Sequence, residues 1–359
     1  MEIEGFKIRE FRAQDEEEIL RLFRESYGKE KSADLWRWEF AENPAGSVVL
    51  VAESGGRIAG SLAAVLKPFV FDGEEVVAAH SVDTMVAPEW RGKGLYKTLS
   101  SKFIGILKKK KVRVVYGFAN RNSRSGVVKY QGRREIGFPL HVLPVSPAGI
   151  FRFALKKTPP LLQESIFSFE KLIRKTGASL LGLDNDPFGD ADEFGEEYTK
   201  FFESVKEDFS LWVKRDADYL NHRYRGKPGA SYKIHVARGE KGELAGFAVV
   251  RGQEYKGLKT LFVMELVAES REYVETMSKL LKGVTSHAVG GDYDIVSLLM
   301  FPSSPFSKEL PFKGFMPVPE NLFPQEISFS ARVLDPDGDD PVLYSQGAWH
   351  ISWGDTDLL

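Results

Sequence analysis

The stretch Ser81-Val82-Asp83-Thr84-Met85-Val86-Ala87-Pro88-Glu89-Trp90-Arg91-Gly92-Lys93-Gly94-Leu95-Tyr96 decides how this chain is read. Ser81 to Val86 is a strand-like run. Arg91 to Tyr96 is a glycine-rich turn, and Leu95 to Lys111 has helical apolar spacing. Strand, tight turn and helix in that order gather backbone N–H groups and a helix N-terminus around one point. Gly92 and Gly94 carry no Cβ, so the main chain there can come close to an anion. The residues specify a site for a phosphate-bearing ligand, a diphosphate above all. Two common phosphate loops fail on spacing. Dinucleotide folds need G-x-G-x-x-G, whereas Gly92-Lys93-Gly94 is followed by Leu95, Tyr96 and Lys97; the P-loop pattern G-x-x-x-x-G-K-[ST] is absent.

Around this stretch lies an ordinary globular composition. The chain has 359 residues, 43% hydrophobic and 28% charged, enough for two domains. A net charge of -2 gives no global attraction to nucleic acid or to an anionic membrane. There is no cysteine, which excludes disulfides, thiolate-ligated zinc and a thioester on the protein. Any covalent catalysis therefore uses another nucleophile. The start, Met1-Glu2-Ile3-Glu4-Gly5, is acidic and unlike a signal peptide, and no apolar run is long enough to span a bilayer. A cytoplasmic protein is expected.

Upstream of the turn, Phe6 to Arg12 reads as a strand. Asp15-Glu16-Glu17-Glu18 opens a helix running to Tyr27, and a second helical piece covers Ser32 to Phe40. Val48 to Glu53 and Arg57 to Phe71 are expected to pair across a Gly55-Gly56 turn, and Glu75 to Val86 is a further strand. Downstream, Val112 to Phe118 is a buried strand. The order is that of a mixed α/β domain. We expect this domain over residues 1–147, a helical connector over 148–205 with a helix from Leu161 to Leu181, and a second domain over 206–359.

The second domain repeats the first. Trp36, Trp38 and Phe40 before Pro44 correspond to Leu220, His222 and Tyr224 before Pro228, and Gly56-Arg57-Ile58-Ala59-Gly60 corresponds to Gly242-Glu243-Leu244-Ala245-Gly246. A strand from Leu261 to Val267, a helix from Glu272 to Lys282 and a strand from Asp294 to Phe301 follow. The glycine turn between the first two is replaced by Ala268-Glu269-Ser270-Arg271. The tail, Trp349 to Asp357, alternates like a strand that completes a sheet, or else brings Asp355 and Asp357 to a cationic acceptor.

The central stretch resembles the acyl-CoA loop of the GNAT (general N-acetyltransferase) superfamily, [Q/R]-x-x-G-x-[G/A], in Val86-x-Pro88-Glu89, Arg91 and Gly94. Tyr96 stands where that pattern has Gly or Ala. The resemblance implies two tandem GNAT-like domains of mixed α/β fold, the second degenerate. It also implies acetyl-CoA as co-substrate, no metal, and direct transfer of the acetyl group to a primary amine of a small metabolite, sugar or amino acid. Its cofactor residues map to Met85, Val86, Arg91, Gly92, Lys93, Gly94, Leu95 and Tyr96. Beyond the next strand they map to Asn120, Asn122 and Ser123, where N-capping of the following helix is the plain alternative. Each charge-assisted amide bond to a diphosphate contributes about 1.5–3 kcal/mol.

An alkyl amine is mostly protonated at pH 7, which costs about 4–5 kcal/mol in free nucleophile. Within the resemblance the general base falls on His80, with Asp83 behind it. Strand alternation sets these two on opposite faces unless a bulge intervenes. The acid for the leaving thiolate would be a tyrosine four residues before Gly132, but that position is Val128; Tyr130 is the substitute. The competing reading is a non-catalytic acyl-CoA-binding sensor. A third makes the C-terminal half a partner-binding or homodimerisation module.

Overall fold

The computed structural model describes residues 5–146, 183, 186–269, 273–320, 327–334 and 341–358; the helix expected over 161–181 lies outside them. The first half runs β1 (Lys7–Glu10), α1 (Glu16–Tyr27), α2 (Ala33–Trp36), β2 (Ser47–Ser54), β3 (Arg57–Phe71), β4 (Glu74–Val86), α3 (Leu95–Lys109), β5 (Val114–Asn120), α4 (Arg121–Gln131), β6 (Arg134–Gly137) and β7 (Leu140–Pro144). The second half adds β8 (Gly189–Asp190), α5 (Glu196–Val205), β9 (Leu211–Val213), α6 (Ala217–Leu220), β10 (Lys233–Arg238), β11 (Leu244–Tyr255) and β12 (Leu258–Ala268). It ends with α7 (Tyr273–Gly290), β13 (Ile295–Leu299), β14 (Met316–Pro317) and β15 (Ile327–Val333).

Local chemistry sets these boundaries. Three glutamates occupy the first turn of α1, where the helix dipole favours anions, and Gly28 ends it at φ 68°. Gly55 and Gly56 both have positive φ, which lets the β2–β3 connection turn in two residues. Residues of β2 and β3 alternate between two cores. Leu50, Leu62, Ala64 and Leu66 face Leu95, Leu99, Phe103 and Leu107 of α3. Val49, Val51, Ala63 and Val65 face Ile19, Leu22 and Phe23 of α1 and Trp36 and Phe40 near α2. Helices thus cover both faces of this sheet.

Two mixed sheets result. The first is ordered β1-β2-β3-β4-β5-β15-β6, with β9 also paired to β3; the second is β14-β7-β13-β12-β11-β10-β8. The repeat read in the sequence is present as structure: β10, β11, β12, α7 and β13 follow one another as β2, β3, β4, α3 and β5 do. Both α2 and α6 continue into a single π turn, Arg37–Ala41 and Asn221–Arg225. The two turns touch at equivalent residues. Trp38 stacks on His222 with ring centroids 5.0 Å apart, and Trp38 Nε1 donates to the His222 carbonyl at 3.1 Å.

Two expectations are corrected. The division after residue 147 does not follow the sheets. β7 of the first half pairs with β13, and β15 from near the C-terminus lies between β5 and β6. The halves exchange strands, and one large core runs through both. The tail is not a strand. It runs as three single turns, Pro341–Tyr344, Gln346–Ala348 and Trp353–Asp355, with one bridge between Trp349 and Leu211. Asp355 and the indoles of Trp349 and Trp353 find partners within the fold, which a regular strand at this spacing would not supply.

Candidate active site

β4 and β5 are parallel neighbours, and their paired residues end at His80 and Tyr116. Beyond that point both strands line a cleft of about 1320 Å³, which also reaches α2, α3, α4, α6 and the C-terminal tail. All the candidate residues read from the sequence, apart from Lys93, border this cleft.

The loop after β4 presents the main chain. Gly92 and Gly94 have φ of 76° and 83°, the left-handed region where glycine is favoured. Gly94 is the N-cap of α3 and offers no side-chain acceptor. The first α3 bond that reaches back to the loop is Thr98 N–H to the Gly94 carbonyl, at 3.2 Å. Among the described residues, the amides of 92–97 therefore have no protein acceptor. Consecutive free N–H groups at a helix N-terminus form an anion site. Two cations flank it with their stems fixed. Arg91 Nε donates to the Val86 carbonyl at 3.0 Å, and the Lys93 ammonium lies 4.6 Å from the Trp90 ring centroid.

Tyr96 fits because the facing helix makes room. A Cβ at Gly126 of α4 would lie 2.6 Å from Tyr96 Cε1, so the ring occupies space that glycine leaves. The Tyr96 hydroxyl accepts from Gln131 Nε2 at 3.0 Å, and the Tyr130 ring meets the Tyr96 ring edge-on at 5.9 Å. Gly126→Ala is expected to destabilise the protein by about 1–3 kcal/mol through overpacking. In a Tyr96→Ala background, which carries its own cost from the lost ring, the same substitution should cost less than about 1 kcal/mol, as a denaturant titration of the single and double variants would show. At the start of α4, Asn120 Oδ1 accepts from the amides of Asn122 and Ser123 at 3.0 and 3.1 Å. Of these three residues, Asn120 is the N-cap.

A bulge in β4 decides where the acidic candidate points. Ser61 pairs with Met85 and Ala63 with Val82, leaving Asp83 and Thr84 opposite Leu62 alone, and Asp83 has φ of 44°. The Asp83 carboxylate is 2.5 Å from Lys31 Nζ, which also lies 2.5 Å from Glu39. Burial raises the Asp83 carboxyl, and Lys31 opposes that rise. Asp83 is held in an ion pair.

His80 is 3% exposed, and its ring stacks on Tyr116 at 5.0 Å. Its Nε2 has no hydrogen-bond partner among the described residues. Desolvation, then the cations Lys67, Arg133 and Arg223, hold this imidazole well below the usual histidine range, so it is neutral at pH 7. Asp357 Oδ1 lies 3.8 Å from His80 Nε2. The Asp357 side chain is 29% exposed at the cleft, and its enclosure there, with Glu39 and Asp83 nearby, pushes the carboxyl up to about 7. Asp355, two residues earlier, is fully buried against Arg215 at 2.6 Å, and Arg215 also contacts Glu265 of β12 at 3.2 Å. Of the two tail carboxylates, one is structural and the other reaches the cleft.

The sequence reading missed Lys31 and Arg133, and left Asp357 as a mere option. The signal for Arg133 was present in the Arg133-Arg134 pair, because alternation into β6 turns one of two adjacent side chains inward. Nothing local marked Lys31 as a site residue, because its partner Asp83 lies 52 residues further along the chain.

Residues 7–129 match the family model described as an acetyltransferase (GNAT) domain. No curated protein matches the sequence at a significant level. Solved structures do. A protein of unknown function from Enterococcus faecalis V583, described as a probable N-acyltransferase, superposes with a TM-score of 0.59 at 12% identity, over 92% of this chain and 72% of that one. A GCN5-related N-acetyltransferase from Anabaena variabilis gives 0.59 at 11%, over 92% and 73%. Saccharomyces cerevisiae N-myristoyltransferase with bound myristoyl-CoA gives 0.61 at 11%, over 98% and 90%. These likenesses establish the fold. The chain has a tandem GNAT-like architecture, and the family match falls on its first half.

Proposed function

We propose, from the GNAT domain over residues 7–129, that this protein is a CoA-dependent N-acyltransferase. It moves a short acyl group, acetyl in the simplest case, to a primary amine of a small metabolite, sugar or amino acid. The observation that carries this reading is the run of amides at residues 92–97 with no protein acceptor among the described residues, opening beside the gap between β4 and β5. The diphosphate of CoA sits on those amides, with Arg91 and Lys93 beside it. The pantetheine arm extends along β4 from Val86 toward Ser81, about 16 Å of strand, which an extended arm can span. Asn120, Asn122 and Ser123 border the other side.

In the reaction the amine nitrogen attacks the thioester carbon. The C–N bond forms, the C–S bond breaks, the amine loses one proton and the thiolate gains one. We assign the departing amine proton to Asp357. A base titrating near 7 is well matched to neutral pH, whereas the suppressed basicity of His80 makes it a weaker final acceptor. His80 then flanks and orients that carboxylate. Tyr130, beside Tyr96 at the cleft wall, returns a proton to the thiolate.

Two measurements test this. Amine-dependent thiol release should rise with pH through about 7, because a base with a raised pKa works only above it. Asp357→Asn should lower kcat about 100-fold or more and flatten that rise. Its affinity for CoA should not change. Binding of acetyl-CoA with no thiol release across a panel of amines would instead favour a sensor.

A further inference from the structure

Three arginines, Arg133, Arg215 and Arg223, are deeply buried, and two of them are fully occupied. Arg215 pairs with Glu265 and Asp355. Arg223 donates to the carbonyls of Gly354 and Thr356 and to the Tyr232 hydroxyl. Arg133 differs. Its Nε and Nη2 both donate to Gln131 Oε1, at 3.0 and 2.8 Å. Among the described residues, no carboxylate lies within 4 Å of it and Nη1 has no hydrogen-bond partner. One edge of the guanidinium is thus spent on an amide oxygen. The other, a fork of N–H groups shaped to take a carboxylate, is open.

The place of that open edge is specific. A Cβ built at Gly117 would lie 2.6 Å from Arg133 Nη1 and 2.8 Å from the Ser81 carbonyl oxygen. Arg133 therefore fills the space beside Gly117, one residue past the point where β4 and β5 stop pairing. Arg133 and Ser81 both line the cleft, and the buried Ser81 hydroxyl has no partner among the described residues. Burial lowers the guanidinium to about 10, so it stays charged at neutral pH. The Asp357 carboxylate favours this charge only from beyond ion-pair distance, so a ligand carboxylate on the open edge would supply the paired counter-charge.

We propose that the floor of this cleft selects a short acyl group ending in a carboxylate, with Arg133 as its counter-ion. This rests on the CoA reading above and refines its donor. The thioester end of a pantetheine arm lying on β4 arrives at Ser81 and Gly117, and the acyl tail beyond it meets the Arg133 fork. Malonyl and succinyl thioesters have this chemistry. The carboxylate is a spectator, so the transfer step is unchanged. Acetyl is too short to reach the fork, and a longer aliphatic tail would desolvate it without pairing it.

The test is calorimetric titration of the full chain with free CoA, butyryl-CoA and succinyl-CoA, the last two matched in chain length. The expected result is binding of all three, with succinyl-CoA at least 10-fold tighter than butyryl-CoA. Arg133→Met should narrow that gap to within about twofold and leave free CoA unchanged. Equal or tighter binding of butyryl-CoA by the unmodified protein would overturn the proposal, even if the variant failed to fold. So would a preference that survives Arg133→Met. Failure of free CoA to bind would overturn the underlying CoA reading as well, which separates the two.

Discussion

A chain ended after residue 147 is expected to be recovered as aggregate, not as a folded coenzyme-binding domain. The sequence makes such a fragment look self-contained, because strand, loop, helix and strand all lie within it. The structure removes that independence. β15 pairs with β5 along seven residues, from Ile327 with Asn120 to Val333 with Val114, and pairs with β6 on its other side. Without it, β5 and β6 present bare edges, and β7 loses β13. The side chains lost are large. Phe329 packs against Tyr116, Phe118 and Trp349, and Trp349 against Phe69 and Tyr116. Losing one buried aromatic costs about 3–5 kcal/mol, and a domain's whole stability is about 5–15 kcal/mol. The checks are recovery in the soluble fraction and the near-ultraviolet dichroism of the fragment. A monomeric fragment that melts cooperatively would show that the exchanged strands are dispensable.

The other large effect is expected at Gly94. Gly94→Val should weaken CoA binding about 100-fold or more while leaving the melting temperature nearly unchanged. The reason is backbone conformation and not crowding. A Cβ at Gly94 meets nothing within 4 Å, yet φ is 83°, where a β-branched residue is strained. Relieving the strain turns the neighbouring amides away from their common focus. Losing two charge-assisted bonds of about 1.5–3 kcal/mol each exceeds the roughly 2.8 kcal/mol that corresponds to 100-fold in affinity. The melting temperature separates this from unfolding. A variant that binds CoA normally would show that the loop is an ordinary turn.

These two expectations differ in how far the sequence could carry them. The loop was legible because its chemistry is local: two glycines, a strand before and a helix after are contiguous residues. The repeat was legible too, since Trp38 and His222 hold equivalent places and even meet in the fold. Tyr96 looked like a departure from the acyl-CoA pattern, and its compensation at Gly126 lies on another helix. The strand exchange was not readable, because a single strand such as β15 carries no mark of which sheet it joins. The catalytic candidates divide in the same way. His80 was placed by the family resemblance, but what surrounds it comes from far along the chain. Asp357 reaches it from the tail, and Lys31 occupies Asp83 from the approach to α2. An acidic residue near the end of a chain is ordinary until packing of the preceding tryptophans carries it into a cleft.

The most direct measurement is a calorimetric titration of the full chain with CoA beside one with pantetheine, which keeps the arm and thiol but lacks the diphosphate. If main-chain amides after β4 hold linked phosphates, CoA binds at one site per chain and pantetheine gives no measurable heat at the same concentrations. Equal affinity for the two, or no heat from either, would contradict the account.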